Sequence, residues 1–377
     1  MFNRAGVDMI PLRAGARMFA EEAFARMGKP VLISGELGAL DRGKSLRMPE
    51  VVLPPAFSSS FGSRSRHPMV DNITLSEHGK RATSATSLSV ESHRYLKDHS
   101  ISGVPYLPGV MALEMMAETV QACSDSGNRV SSFEDVEFGL PVKLTKSTKQ
   151  IRCTVEAIQG NPVEAYRCKI VSDPLGGRGE PIVHHKATIL MTSGISLEPI
   201  QDIVPTDEDG SRMLGAADIY GYMFHGPMFQ PLKGVVATIE TDMGPGIEAR
   251  VNDVPDLPDP NLFVAHGTPY TPIMTSHPML IESCFQAAGL TSMDIDAAET
   301  LPVGAKRILL PAGVPQGSFT VASVRSGGGP DGTFLHESVV RLNGSPVMRI
   351  EGLEMKQLRA LEEGNRPGLS EKIGGLE

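Results

Sequence analysis

The sequence predicts an α+β fold made of two similar halves, each an antiparallel sheet wrapped around one central helix. Three observations predict it. Apolar and polar residues alternate with period two over many short runs, the pattern of half-buried strands. Each half contains a single helical run with apolar residues at turn spacing, one at about 109–124 and one starting at His277. The same plan recurs twice at roughly the same length, as an internal duplication would.

In chain order, residues 1–36 hold a short amphipathic helix, "AGARMFAEEAFARMG", closed by Gly28, and a strand, "KPVLISGE". One helix and one strand cannot enclose a core, so they read as a piece of something larger or as a layer packed on the later residues of the chain. Residues 37–66 are rich in Gly, Pro and Ser and read as a linker. The first half, 67–200, opens with "HPMVDNITLS" and "ATSLSVESHRYLKDHSI" as strands. The helix comes next, then the strands "DVEFGLPVKL", "KQIRCTVEAI", "EAYRCKIVSD" and "EPIVHHKATILMT". An acidic connection at about 201–215 opens the second half, 201–360. There "PLKGVVATIET" and "GIEARVND" precede the helix "SHPMLIESCFQAAGL", and "ILLPAGV", "GSFTVASVRS", "TFLHESVVRLNG" and "SPVMRIEGLEMKQL" come after it. The tail, 361–377, has no apolar period and reads as mobile.

Composition narrows the function. The 377 residues are 41% hydrophobic, enough for a substantial core. The net charge of −9, with no block of Lys or Arg, argues against a nucleic-acid or membrane-surface partner. No apolar run is long enough to span a bilayer, and the start lacks the apolar stretch of a signal peptide. Cys123, Cys153, Cys168 and Cys284 are scattered, which reads as free thiols in a reducing, cytoplasmic setting, with no disulfide frame or metal site.

Two motif matches fail on mechanism. Gly38–Ser45, "GALDRGKS", fits a phosphate loop, but Pro49 forbids the helix that must come after it. His184 and His185 are adjacent in a strand and are expected on opposite faces, so they are not joint metal ligands. His99 is different. It ends a strand-like run, Gly103 and Pro108 punctuate the turn, and Gly109 stands at the helix entrance. A helix start carries unpaired N–H groups that can hold a carbonyl oxygen gaining charge, and a neutral histidine beside it can remove the proton α to that carbonyl. On the second helix, His277 precedes Pro278, and Glu282 and Gln286 share a face at i, i+4. Apolar neighbours should bury Glu282, raise its pKa and leave it a protonated acid. A histidine base from one half and a carboxylic acid from the other suit removal of a proton and expulsion of a hydroxyl.

These residues resemble the dehydratase domain of type I polyketide synthases, over about 67–358. The family's first motif, H-x-x-x-G-x-x-x-x-P, stands complete as His99, Gly103 and Pro108. The second stands as His277, Pro278, Glu282 and Gln286, with Glu where most members carry Asp. A third, Y-G-P-x-F, stands as His225 to Phe229, with His in place of Tyr, and "HPMVDN" (67–72) is similar to the family's first strand. The resemblance implies a double hotdog fold and syn elimination of water from a 3-hydroxyacyl chain on acyl carrier protein. It implies that His99 takes the α-proton and Glu282 protonates the departing hydroxyl. It further implies that amides near Gly103 and the helix at Gly109 hold the thioester oxygen, and that Gln286 orients Glu282. His225 then either takes over what the family's Tyr contributes or lines the tunnel wall, and His277 and Pro278 start the helix. No metal or redox cofactor is implied, because the phosphopantetheine arm of the carrier enters with the substrate. Residues 1–36 resemble the end of a ketoreductase domain, an order similar to that of bacterial polyunsaturated fatty acid synthases. An enoyl isomerase, a product-template-like cyclase and a non-catalytic carrier-binding scaffold are the alternatives on the same residues.

Overall fold

The computed structural model describes residues 67–77, 79–174, 179–193, 201–204, 207–209, 214–252, 263–265, 268–270, 274–311, 313, 317–328, 331–362 and 366–369. The readings of 1–36 and 37–66 and the phosphate-loop match lie outside these residues.

Six strands build the first half: β1 (Asn72–Glu77), β2 (Arg81–Leu88), β3 (Arg129–Phe138), β4 (Lys149–Ala157), β5 (Glu164–Ser172) and β6 (Ile182–Thr192). Six build the second: β7 (Leu232–Thr241), β8 (Gly244–Val251), β9 (Ala298–Leu309), β10 (Phe319–Gly328), β11 (Thr333–Leu342) and β12 (Ser345–Ala360). All pair antiparallel in one continuous sheet, in the order β1-β2-β4-β5-β6-β3-β9-β12-β11-β10-β8-β7. Read inward from β7, the second half runs β7-β8-β10-β11-β12-β9, so every strand number of the first half is raised by six. The seam joins the equivalent strands β3 and β9, from Glu137 opposite Gly304 to Ser132 opposite Leu309. Two short pieces, Leu214–Gly215 and Asp207–Asp209, both pair with β7.

Helix α1 (Gly109–Cys123) lies between β2 and β3 in sequence, and helix α3 (Pro278–Ile295) lies between β8 and β9. Each is wrapped by its own half of the sheet, and the two helices touch. Both are apolar nearly all round, as helices buried on every side must be. Met111, Leu113, Met115 and Met116 of α1 and Leu280, Ile281 and Cys284 of α3 are fully enclosed. Each such Leu, Ile or Met side chain contributes roughly 1.5–3 kcal/mol by leaving water. Each half also places a two-stranded hairpin before its helix, Ser100–Ile101 with Val104–Pro105 in the first and Phe263–Ala265 with Thr268–Tyr270 in the second.

Several expectations are corrected. The run to residue 101 is not one strand. β2 stops at Leu88, where the Ser89 hydroxyl accepts the Ser92 N–H (3.1 Å) and the Ser89 carbonyl accepts the His93 N–H (2.8 Å), and a 3-10 turn comes next at Arg94–Lys97. β9 begins at Ala298, ten residues before the expected strand start at Ile308, because Pro302 sits at a bulge where no ladder N–H is needed. The acidic connection leads into a short helix, α2 (Ala216–Tyr222), in a stretch for which the sequence predicts no element. Ahead of it, Arg341 grips Asp202 (2.9 Å) and fixes buried Ile203. His184 and His185 are both buried. β6 carries an extra residue opposite Ile170 and Val171, and the bulge turns His184 inward to Ser172 Oγ and the Leu140 carbonyl, each 2.8 Å away. In the tail, Leu369 is fully buried and its N–H donates to Asp294 (2.6 Å).

All four cysteines are buried free thiols. Among the described residues no helix is long and apolar enough to cross a membrane.

Candidate active site

His99 stands at the base of the first hairpin. The turn residues Ser102 (φ 50°) and Gly103 (φ 77°) both have positive φ, as a two-residue turn that matches strand twist requires. Gly103 is exposed at the tip, and a Cβ there would touch nothing, so its work is conformational. The hairpin folds Tyr106 back onto His99. The Tyr106 N–H donates to the His99 carbonyl (3.0 Å), and His99 Nδ1 lies 3.0 Å from the Tyr106 carbonyl oxygen. A ring nitrogen facing a carbonyl must carry the hydrogen, which leaves the lone pair on Nε2. Phe224 and Phe229 meet the ring edge-on, at 5.1 and 5.6 Å. Burial, with His225 adding to it and Glu282 opposing it, pushes the His99 pKa down to about 4. At neutral pH the ring is an uncharged base.

Pro108 takes an extended conformation as N-cap of α1. The N–H groups of Met111 and Ala112 both reach its carbonyl, and no side chain caps the start. The first amides, at Gly109 and Val110, therefore have no acceptor within the helix. They give this end the partial positive charge that a developing oxyanion needs.

Glu282 and Gln286 lie one turn apart on buried α3, and Gln286 Nε2 donates to Glu282 Oε1 (2.9 Å). The amide cannot turn over. Gln286 Nε2 also donates to the Phe229 carbonyl (2.8 Å), and its oxygen accepts the Tyr220 hydroxyl (3.0 Å), which in turn accepts the Leu232 N–H (2.8 Å). His225 Nε2 approaches the same Glu282 oxygen at 3.3 Å. This corrects the expectation for Glu282. Burial pushes its pKa up, but the hydrogen bond and charge of His225, with help from His99 and Gln286, hold it below the ordinary carboxylate range. The sequence revealed the burial but not the imidazole, which comes from another element.

His225 bridges the two halves of the site. Its ring stacks on Phe224 at 4.1 Å, and its centroid is 5.6 Å from that of His99. Asp98 fixes the loop that carries it. The Asp98 carbonyl accepts the Gly226 N–H (2.8 Å), and its carboxylate accepts the Met228 N–H (3.0 Å). A Cβ on residue 226 would fall 2.5 Å from the Asp98 carboxylate, so only glycine permits this approach. His277 lies outside the cluster. It is the N-cap of α3 in the left-handed region (φ 53°), with Pro278 as first helical residue, and its charge acts on Glu114 of α1.

The structure thus brings His99, His225, Glu282 and Gln286 together, puts Pro108 and Gly109 at the adjoining helix start, and leaves Gly103 and His277 in supporting turns. Sequence reading missed Tyr220, Phe224, Asp98 and the Tyr106 carbonyl. Tyr220 lies 66 residues from Gln286 and carries no spacing signal that would connect them.

Comparison with known proteins bears on the family and the fold. A family model described as polyketide synthase dehydratase domain matches residues 67–173. A second, described as polyketide synthase dehydratase N-terminal domain, matches residues 201–365. The spectinabilin polyketide synthase system protein NorA of Streptomyces orinoci is 26% identical over 189 residues, which cover 48% of this chain and 10% of that protein. This chain therefore corresponds to a small part of that relative's length. Among solved structures, the dehydratase domain from the CurJ module of curacin polyketide synthase superposes with TM-score 0.57 at 16% identity, covering 78% of this chain and 98% of that one. The dehydratase domain of PpsC from Mycobacterium tuberculosis, solved in complex with C12:1-CoA, gives TM-score 0.57 at 19% identity, covering 78% and 100%. The likeness to both structures is one of fold, the double hotdog.

Proposed function

Because the chain belongs to the dehydratase domains of polyketide synthases, we propose that its substrate is a 3-hydroxyacyl thioester on acyl carrier protein and its product the 2-enoyl thioester. The observation that carries this reading is the meeting of a neutral histidine, a buried carboxylate and an uncapped helix start in one cluster. His99 Nε2 takes the proton from Cα, and the electrons of that C–H bond form the Cα=Cβ double bond. The Cβ–O bond breaks toward oxygen, and a proton from the Glu282 side completes the water that leaves. The amides of Gly109 and Val110 hold the thioester oxygen while charge gathers on it. The elimination is syn, since base and acid converge from one cluster of side chains. The phosphopantetheine arm delivers the substrate, and the reading assigns no step to a metal or redox cofactor. The proposed partners are the carrier protein and neighbouring synthase domains, a ketoreductase among them, since reduction of a 3-ketone supplies a 3-hydroxyl.

The test is direct. A 3-hydroxyacyl carrier protein, or a short thioester mimic, is incubated with the protein and followed by intact mass. Loss of one water with the unmodified protein, and none above background with His99→Ala, is the expected result. Turnover that survives His99→Ala undiminished would place the chemistry elsewhere.

A further inference from the structure

Glu282 stands where the acid is needed, yet its surroundings present it with donors. Its Oε1 accepts from Gln286 Nε2, and that amide is locked by Tyr220 and Phe229, so it cannot offer its oxygen instead. A hydrogen on Oε1 would collide with an N–H. The second group at this oxygen is His225 Nε2, at 3.3 Å, and a nitrogen facing a carboxylate oxygen carries the hydrogen. Among the described residues, the ion-pair partner of Glu282 is this histidine. The carboxylate is 5% exposed, and an ionised acid so placed needs a countercharge. His225 stacks on the face of Phe224, a surface that favours a cation.

We propose that His225 holds the proton that departs with the substrate hydroxyl and supplies it through Glu282. This rests on the dehydratase reading above and refines it, with His225 as a positioning residue that acts through the carboxylate. In the resting site the Glu282–His225 pair holds one proton and His99 holds none on Nε2. During elimination the pair's proton moves to the leaving oxygen, Glu282 remains a carboxylate, His225 becomes neutral, and His99 gains the α-proton. Elimination of water consumes no net proton. One transfer from His99 to His225, whose ring centroids are 5.6 Å apart, resets the site. The other titratable groups facing His225 fit this exchange. Asp98 is occupied by the Met228 N–H, and Tyr220, pushed up by burial, keeps its proton on the Gln286 oxygen.

The experiment has two arms. First, kcat and KM are measured across pH for the unmodified protein, His225→Phe and His225→Gln. The expected result is a loss of kcat of about 10²-fold or more, the range of general acid catalysis, with KM changed by only a few fold. Second, without substrate, ¹⁵N-histidine spectra track each ring. At the same pH, His225 should show a larger share of the doubly protonated ring in the unmodified protein than in Glu282→Gln, as expected for an opposite charge in contact. Retention of kcat within about threefold by a folded His225→Phe protein, or a His225 titration indifferent to Glu282→Gln, overturns the proposal. If the unmodified protein fails to dehydrate any thioester, the dehydratase reading falls instead, and the spectra still report where the proton sits.

Discussion

The central helices of the two halves occupy equivalent places, and each hides a polar pair at i, i+4. On α1 the pair is Glu114 and Glu118, both fully buried. On α3 it is Glu282 and Gln286, almost as deep. Their partners differ. Glu114 accepts the N–H groups of Thr275 (2.6 Å) and Ser276 (2.8 Å), in the segment leading to α3, and so braces one half against the other. Glu118 accepts the Met69 N–H (2.9 Å) ahead of β1. Glu282 is met by side chains, His225 and Gln286. Burial alone pushes all three acids up, and it prevails at Glu114 and at Glu118, where the charge of Glu114 adds to it. At Glu282 the imidazole reverses the outcome. Backbone donors make a buried acid a fixed brace, whereas a side chain that can itself gain and lose a proton makes it an exchanger.

The largest expected effect tests that contrast. Glu282→Gln should lower kcat by about 10²–10⁴-fold while the fold survives, and Glu118→Gln should leave kcat within a few fold. Glu118→Gln should act on stability instead. Glu118 holds its proton more tightly folded than unfolded, so its contribution is fully present at acid pH, below the ordinary carboxyl value. It is lost as pH rises through the elevated folded value. Urea midpoints measured from pH 5 to 9 should therefore fall less steeply for Glu118→Gln than for the unmodified protein. Loss of turnover in a folded Glu118→Gln protein would break the comparison.

Next in size is the brace itself. Glu114→Ala strips the acceptor from two backbone N–H groups and the Ser276 hydroxyl in a buried place. At roughly 1–3 kcal/mol for each buried group left unpaired, the expected loss is about 3 kcal/mol or more, read from urea unfolding. A loss below about 1 kcal/mol would mean that water or a neighbour replaces the carboxylate, and that the halves do not depend on it.

Much of this arrangement was legible in the sequence. The alternating runs and the duplicated plan gave the sheet halves and both central helices, and the spacings in "HSISGVPYLP" and "HPMLIESCFQ" singled out His99 and Glu282. What stayed hidden depends on contacts between distant elements. "LEMMAETV" and "LIESCFQ" look alike as buried helix with an embedded acid, and nothing within either run distinguishes brace from exchanger. The bulge that buries both His184 and His185 breaks the period-two rule locally. The side chain that fixes Gln286, Tyr220, lies on a seven-residue helix too short to show a clear apolar period.

Tyr220 gives a smaller effect. Tyr220→Phe removes the hydroxyl that accepts the Leu232 N–H and holds the Gln286 oxygen. With the amide free to turn over, Glu282 loses a fixed donor. A drop in kcat of about tenfold with little change in KM is expected, alongside a stability loss of about 1 kcal/mol for the unmade bonds. An equal change in KM and none in kcat would show that Tyr220 shapes substrate binding and leaves the acid untouched.

The smallest effect lies at the tip of the hairpin whose base carries His99. Gly103 touches nothing, so a side chain there meets no steric wall, only the strain of φ 77°. A non-glycine residue forced into the left-handed region costs about 1–2 kcal/mol, while Asn visits it readily. Gly103→Val should therefore be the most destabilised variant, Gly103→Ala intermediate, and Gly103→Asn nearly neutral, by thermal unfolding. Turnover should fall in the same order, because the turn is what places the Tyr106 carbonyl against His99 Nδ1 and keeps Nε2 free for the substrate. If Gly103→Asn folds as stably as the unmodified protein yet loses turnover, then the glycine amide itself contacts the thioester, and the hairpin joins the helix start as a binding element.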